Sequence, residues 1–223
     1  MDPLSKTLRA GAAEIWKREL AHPFVRGLGD GTLPADRFGF YLEQDYLFLV
    51  EYCRVFGLAS AKARELAVMG LFSGLLNDTL QTEMQLHRDY CKRLGIADAA
   101  LTGARAAPVT HGYTRHHLST AYSGSIVEIV AAVLPCQLGY VEIATALERE
   151  SGGANNSFYR EWIKTYTSPE FVAGTERLVK LLDQLADGIS SHETAWLSEL
   201  FLTSSRYEYL FWEMSWTKAT WPV

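Results

Sequence analysis

Apolar residues recur at i, i+3, i+4 and i+7 through most of this chain, in long segments cut at short intervals by proline and glycine. That is the repeat of an α-helix, and few stretches alternate polar and apolar residues as half-buried strands do. The expected fold class is therefore all-α. The spacing predicts helices from about Leu4 to Leu20, Pro34 to Ala59, Ala61 to Leu94, Pro108 to Tyr122, Ser125 to Glu150, Ser157 to Tyr166, Pro169 to Asp187 and Ser191 to Lys218. Pro34, Pro108 and Pro169 fall at helix starts, where a missing N–H costs nothing. Gly95, Gly124 and Ser151-Gly-Gly153 are the expected stops. His22-Pro23 and Gly27-Leu-Gly-Asp-Gly31 read as a turn, and Thr102 to Ala107 as a loop. Pro135 lies inside a helix, where it removes a donor and clashes with the preceding turn, so a kink is expected there. With no low-complexity linker and no internal repeat, residues 1–223 read as a single multi-helix bundle of about seven or eight helices.

The composition excludes several classes of function. Hydrophobic residues make up 48% and charged residues 21%, which are globular proportions. The net charge is -5, and the strongest basic clusters are only Lys17-Arg18 and Lys92-Arg93. No nucleic-acid or membrane-surface partner is expected. The N-terminal MDPLSKTLRAGAAEIW lacks an apolar signal core, and the most apolar run, Ile129 to Leu134, is too short to span a bilayer. Three widely spaced cysteines, Cys53, Cys91 and Cys136, do not make a disulfide framework. Reduced thiols in the cytoplasm are the expectation. Aromatics reach 12%, fit either for a well-filled core or for a pocket that takes a flat ligand.

Function shows where a polar residue interrupts an apolar helical row. Asp45 sits in the row Phe38, Tyr41, Asp45, Phe48, Leu49, Tyr52. A carboxylate there must find donors, whether to tie two helices together or to bind a ligand. Cys136 follows Pro135 in the row Ile129, Ala132, Val133, Cys136, Gly139, Tyr140, Ile143. It is either an inert buried thiol or a nucleophile beside backbone groups freed by the proline. Glu208 sits in the row Leu197, Leu200, Phe201, Ser204, Glu208, Phe211, Trp212. It is either salt-bridged to another helix or held protonated by burial as a general acid. Together these supply a nucleophile, a tunable acid and a second carboxylate among aromatics, a set suited to a planar nitrogen heterocycle.

At these residues the sequence resembles the TenA/thiaminase II family, of haem-oxygenase-like helical fold. The resemblance rests on His22-Pro23-Phe24-Val25, Leu28-Gly-Asp-Gly-Thr-Leu-Pro34, Tyr41-Leu-Glu-Gln-Asp-Tyr46, Glu83-Met-Gln-Leu-His87, Cys136-Gln-Leu-Gly-Tyr140, Trp162-Ile-Lys-Thr-Tyr166 and Glu208-Tyr-Leu-Phe-Trp212, in family order over nearly the whole chain. It implies Cys136 as nucleophile, Glu208 as the acid that protonates a pyrimidine ring nitrogen, and Asp45 as partner of the ring nitrogens and amino group. It implies Tyr113, Tyr140, Tyr166 and Phe211 as pocket walls and hydroxyl donors. Phe48 stands where the family often has a tyrosine, so one hydroxyl is lost while the stacking surface stays. The implied activity is hydrolysis of an aminopyrimidine or thiamin in thiamin salvage, by a homotetramer with neither metal nor cofactor. Trp216 and Trp221 are candidate exposed contacts for such an assembly.

Rival readings keep the fold. A haem-oxygenase-like di-iron oxidase would use Glu83 and His87, at i, i+4, with His116-His117 as the adjacent pair for a second cluster, but such a site wants Glu-x-x-His from two helices, which this chain does not supply. Without that role, Glu83 and His87 read as a helix-surface or inter-helix polar pair. A haem site would want a histidine early in the first helix, and His22 lies after it. A non-catalytic pyrimidine-binding or regulatory protein would use the same pocket as the enzyme.

Overall fold

The structure is a computed structural model that describes residues 2–151 and 157–223. Among these residues all regular structure is helical. The helices are α1 (Leu4–Gly11), α2 (Ala13–Leu20), α3 (Pro23–Asp30), α4 (Ala35–Lys62), α5 (Leu66–Asp78), α6 (Met84–Arg93), α7 (Asp98–Gly103), α8 (Pro108–Ser123), α9 (Ile126–Ser151), α10 (Ser157–Tyr166), α11 (Pro169–Leu185) and α12 (Ser191–Thr217). One π-helical turn, Thr79–Glu83, joins α5 to α6.

The described helices outnumber those predicted because short interruptions divide predicted long ones. The first splits at Ala12. The predicted break near Ser60 is absent: Ala59-Ser60-Ala61-Lys62 contains no breaker and α4 runs on to Lys62, the chain turning instead at Ala63. Asp98–Gly103 forms a short helix at the edge of the expected loop. The expected stop at Gly152-Gly153 lies outside the described residues.

The largest departure is α3, where a turn is predicted. Pro23 occupies its first turn, and the His22 ring caps it by accepting from the Phe24 N–H at 3.1 Å. Of its glycines, only Gly31, the C-terminal cap, has a left-handed φ, of 79°. Gly27 and Gly29 are helical and serve close packing. A Cβ on Gly27 would lie 3.0 Å from the Leu33 backbone, and one on Gly29 would lie 2.6 Å from Leu147.

At the centre lies α9, packed against α3, α4, α8, α10, α11 and α12. It is long and apolar enough to cross a membrane, but 67% of its most apolar window is buried inside the molecule, as suits a central core helix. The helix runs through Pro135 without a break. The carbonyls of the turn before that proline take side-chain donors: Ala132 O is bonded by His117 Nε2 at 2.9 Å and Val133 O by the Tyr52 hydroxyl at 3.1 Å. A capping box of Ser190 and Glu193 starts α12, and the Ser168 side chain caps α11. Trp221 is exposed as expected, whereas Trp216 is half-buried under the Arg37 guanidinium, 3.6 Å from its ring centre.

Candidate active site

Seven elements bring the site together. Helical spacing puts Tyr41, Asp45, Phe48 and Tyr52 of α4 on one buried stripe. Facing it are Glu83 and His87 from the π turn and α6, and Tyr113 and His117 from α8. Cys136 and Tyr140 come from α9, and Glu208, Phe211 and Trp212 from α12. Behind Tyr140 stand Trp162 and Tyr166 of α10, at ring distances of 5.5 and 4.7 Å.

Cys136 is 8% exposed, and its thiol lies close to the Glu208 carboxyl and the Tyr52 hydroxyl. Burial pushes the thiol well above its ordinary pKa, and Glu208, Glu83 and Asp45 push it further. It is therefore a thiol, not a standing thiolate. Glu208, 4% exposed, accepts from the Tyr113 hydroxyl at 2.5 Å. Burial raises its pKa to about 8, the Asp45 charge adding to burial while Tyr113 and Cys136 pull the other way. Near neutrality Glu208 holds its proton.

Asp45 gathers two donors on one oxygen: Oδ2 accepts from Tyr41 at 3.1 Å and from His87 Nε2 at 2.6 Å. His87 Nδ1 donates to the Glu83 carbonyl at 2.7 Å. Burial alone would lower the His87 pKa, but the Asp45 charge and hydrogen bond outweigh it and leave the ring above its ordinary value. A histidine that donates from both nitrogens is an imidazolium, so Asp45 and His87 form a buried ion pair. Tyr41 links onward to the Tyr140 hydroxyl at 3.3 Å and to Trp162 Nε1 at 3.2 Å.

Phe48 packs between Tyr52 and Tyr113, at ring distances of 5.1 and 5.0 Å, with Phe211 at 6.0 Å. All the residues singled out in the sequence thus fall in one buried cluster: Cys136, Glu208, Asp45, Phe48, Tyr113, Tyr140, Tyr166 and Phe211. Sequence reasoning missed Tyr41, Tyr52 and His117 as polar partners, and it undervalued Glu83. Glu83 is no surface residue. It is 7% exposed, bonds Thr79 Oγ1 at 3.1 Å and the Tyr166 hydroxyl, and is raised to about 7, by burial first and then by Asp45. His87 and Glu83 do not converge as a pair of metal ligands, since both His87 ring nitrogens are engaged. Among the described residues no group of three His, Cys, Asp or Glu is placed to hold a metal ion. His117 donates to Ala132 O, and burial lowers its pKa to about 3, so it stays neutral.

The chain is similar to known proteins along nearly its whole length. The chain is 44% identical to an aminopyrimidine aminohydrolase of Halalkalibacterium halodurans, over 94% of each chain. Its fold matches the TenA homologue from P. horikoshii OT3 with a TM-score of 0.89, at 33% identity over 96% of this chain and 99% of that one. A domain with a heme oxygenase-like fold from Shewanella denitrificans matches with a TM-score of 0.73 at 11% identity, covering 96% and 92% of the two chains, which extends the likeness at the level of fold alone. Residues 9–218 match the model of the TENA/THI-4/PQQC family, and with that match over nearly its whole length the chain belongs to this family.

Proposed function

We propose that the chain hydrolyses 4-amino-5-aminomethyl-2-methylpyrimidine, with thiamin as a second substrate, to the hydroxymethylpyrimidine used in thiamin salvage. One observation carries the reading: the Cys136 thiol lies beside a buried, protonated Glu208, inside a wall of aromatic rings that ends on Asp45. The name of the Halalkalibacterium halodurans relative supports the substrate class.

The geometry accounts for the protons. Phe48, Tyr140 and Phe211 hold the flat ring, and Asp45 takes its amino N–H. Glu208 gives its proton to a ring nitrogen. The carboxylate this leaves then takes the proton of the neighbouring Cys136 thiol, and the thiolate sulfur bonds to a ring carbon. The proton has moved from sulfur to ring nitrogen through Glu208, so the buried site never holds an unpaired thiolate while waiting. The substituent on the exocyclic methylene leaves with its bonding electrons. Water adds to the methylene and loses a proton, and the thiolate departs as the ring regains its aromaticity. We place this chemistry in the cytoplasm, in one catalytic domain over residues 1–223 that assembles as a homotetramer and works without a cofactor. The exposed Tyr122, Trp196 and Trp221 support such an assembly as apolar contact surface.

The test is product release from the aminomethylpyrimidine and, separately, from thiamin. Wild-type protein should release hydroxymethylpyrimidine, whereas Cys136→Ser should bind substrate with turnover down by about 10³-fold or more, as for loss of a covalent nucleophile. A Cys136→Ser protein that turns over within a few-fold of wild type would sink the assignment.

A further inference from the structure

One cavity borders the Cys136 cluster without belonging to it. It encloses about 150 Å³ between α5, the π turn, α9 and the start of α11, with Thr79, Glu83, Gln137 and Phe171 among its walls. That is room for more than a single water molecule. Glu83 and Gln137 are buried at its inner end, and Asp78 and Glu170 are exposed at its outer end. Gln137 follows Cys136 in sequence, and both lie close to the Tyr52 hydroxyl. Glu83 bonds Tyr166 and acts electrostatically on that same thiol. The cavity thus leads from solvent to the immediate neighbours of the nucleophile.

The chemistry of the inner end points to a cation. Among the described residues, no Lys or Arg lines the cavity. Glu83 accepts from the neutral Thr79 hydroxyl, and the cation that acts on it, the imidazolium of His87, is already hydrogen-bonded to Asp45. A buried carboxylate without a cationic partner is costly, and a cation in the cavity would relieve that cost. Both leaving groups of the proposed reaction are positively charged while still attached to the methylene, as an ammonium or as a thiazolium.

We propose that Glu83 and this cavity form the leaving-group subsite, in which the Glu83 carboxylate binds the cationic nitrogen attached to the exocyclic methylene and the cavity carries it out after bond cleavage. The inference rests on the hydrolase reading. In the step concerned the C–N bond breaks and its electron pair passes to nitrogen. An ammonium leaves as ammonia with its three protons, a thiazolium leaves as neutral thiazole, and the positive charge stays on the ring-methylene adduct. Glu83 then has no cation to hold, which favours release.

Affinity measured without turnover tests this. In a Cys136→Ser background, calorimetry would compare the aminomethylpyrimidine with its methoxymethyl analogue, which has the same ring and an uncharged substituent. Adding Glu83→Gln should weaken the aminomethyl ligand by about 10-fold or more and the methoxymethyl ligand by no more than about 2-fold, the difference expected of one buried charge-assisted contact. Equal weakening of both ligands, or of neither, would overturn the proposal. Should Glu83→Gln not fold, the Cys136→Ser protein decides alone: a preference of about 10-fold for the cationic ligand supports the subsite, and no preference removes it. Wild-type turnover measured alongside separates the two readings, since absent hydroxymethylpyrimidine would fail the hydrolase while the binding comparison still reports on the cation site.

Discussion

Cys136 and Glu208 lie side by side in the buried site, and between them they hold the protons that the proposed reaction has to move. The pH dependence follows. A cysteine nucleophile paired with a general acid ordinarily gives a bell-shaped profile with a thiolate limb, but burial and three carboxyl groups keep the Cys136 thiol protonated. The limb that remains belongs to Glu208, faced by Asp45 of α4, Tyr113 of α8 and Cys136 of α9, with the charge of Glu19 on α2 also within its field. Steady-state measurements should find kcat/KM falling as pH rises through about 8, where Glu208 loses its proton. At the same scale, His87→Ala leaves Asp45 as a buried charge without its partner. Urea denaturation should show a loss of about 3–5 kcal/mol, and adding Asp45→Asn should recover part of it.

At the scale of elements, most helices were legible because their apolar faces repeat at the helical period. The polar exceptions in those rows exposed Asp45, Cys136 and Glu208 for the same reason. Two features were hidden. The glycines of α3 look like turn residues, yet Gly27 and Gly29 are glycine because another segment crosses against them, and only Gly31 needs a left-handed backbone. Gly27→Ala should therefore lower stability by about 1–3 kcal/mol in chemical denaturation, the strain of the Leu33 backbone outweighing the better helix propensity of alanine. The second hidden feature is the π turn at Thr79–Glu83. Its wider turn shifts the register, so a count of 3.6 residues per turn along α5 assigns Glu83 to the wrong face. Nothing in the local residue types announces such a turn.

Across the whole molecule, the packing of α9 among six other helices could not be read from one sequence, since local periodicity says which face is buried and not against what. Burying the site there has a thermodynamic signature. The folded state keeps the Glu208 proton up to about pH 8, whereas the unfolded chain releases it near 4.5. The stability this group contributes is complete below 4.5 and lost as pH rises through about 8. At about 1.4 kcal/mol per pKa unit this amounts to a few kcal/mol. The neutral histidines His22, His116 and His117 act in the opposite sense, their contribution being lost as pH falls through their lowered pKa values. A difference measurement isolates Glu208. The melting temperature of Glu208→Gln minus that of wild type should grow steadily from pH 5 to pH 9, and a flat difference would show that the carboxyl is not held protonated by the fold.

The uncharged state of Cys136 also matters when no substrate is present. Peroxides and electrophiles consume thiolates far faster than thiols. A sulfur that carries charge only while a pyrimidine ring lies against it offers them almost no target between turnovers. The reactivity needed for catalysis is thereby confined to moments when the ligand itself blocks the way in, and the idle protein should outlast the working one in an oxidising cell.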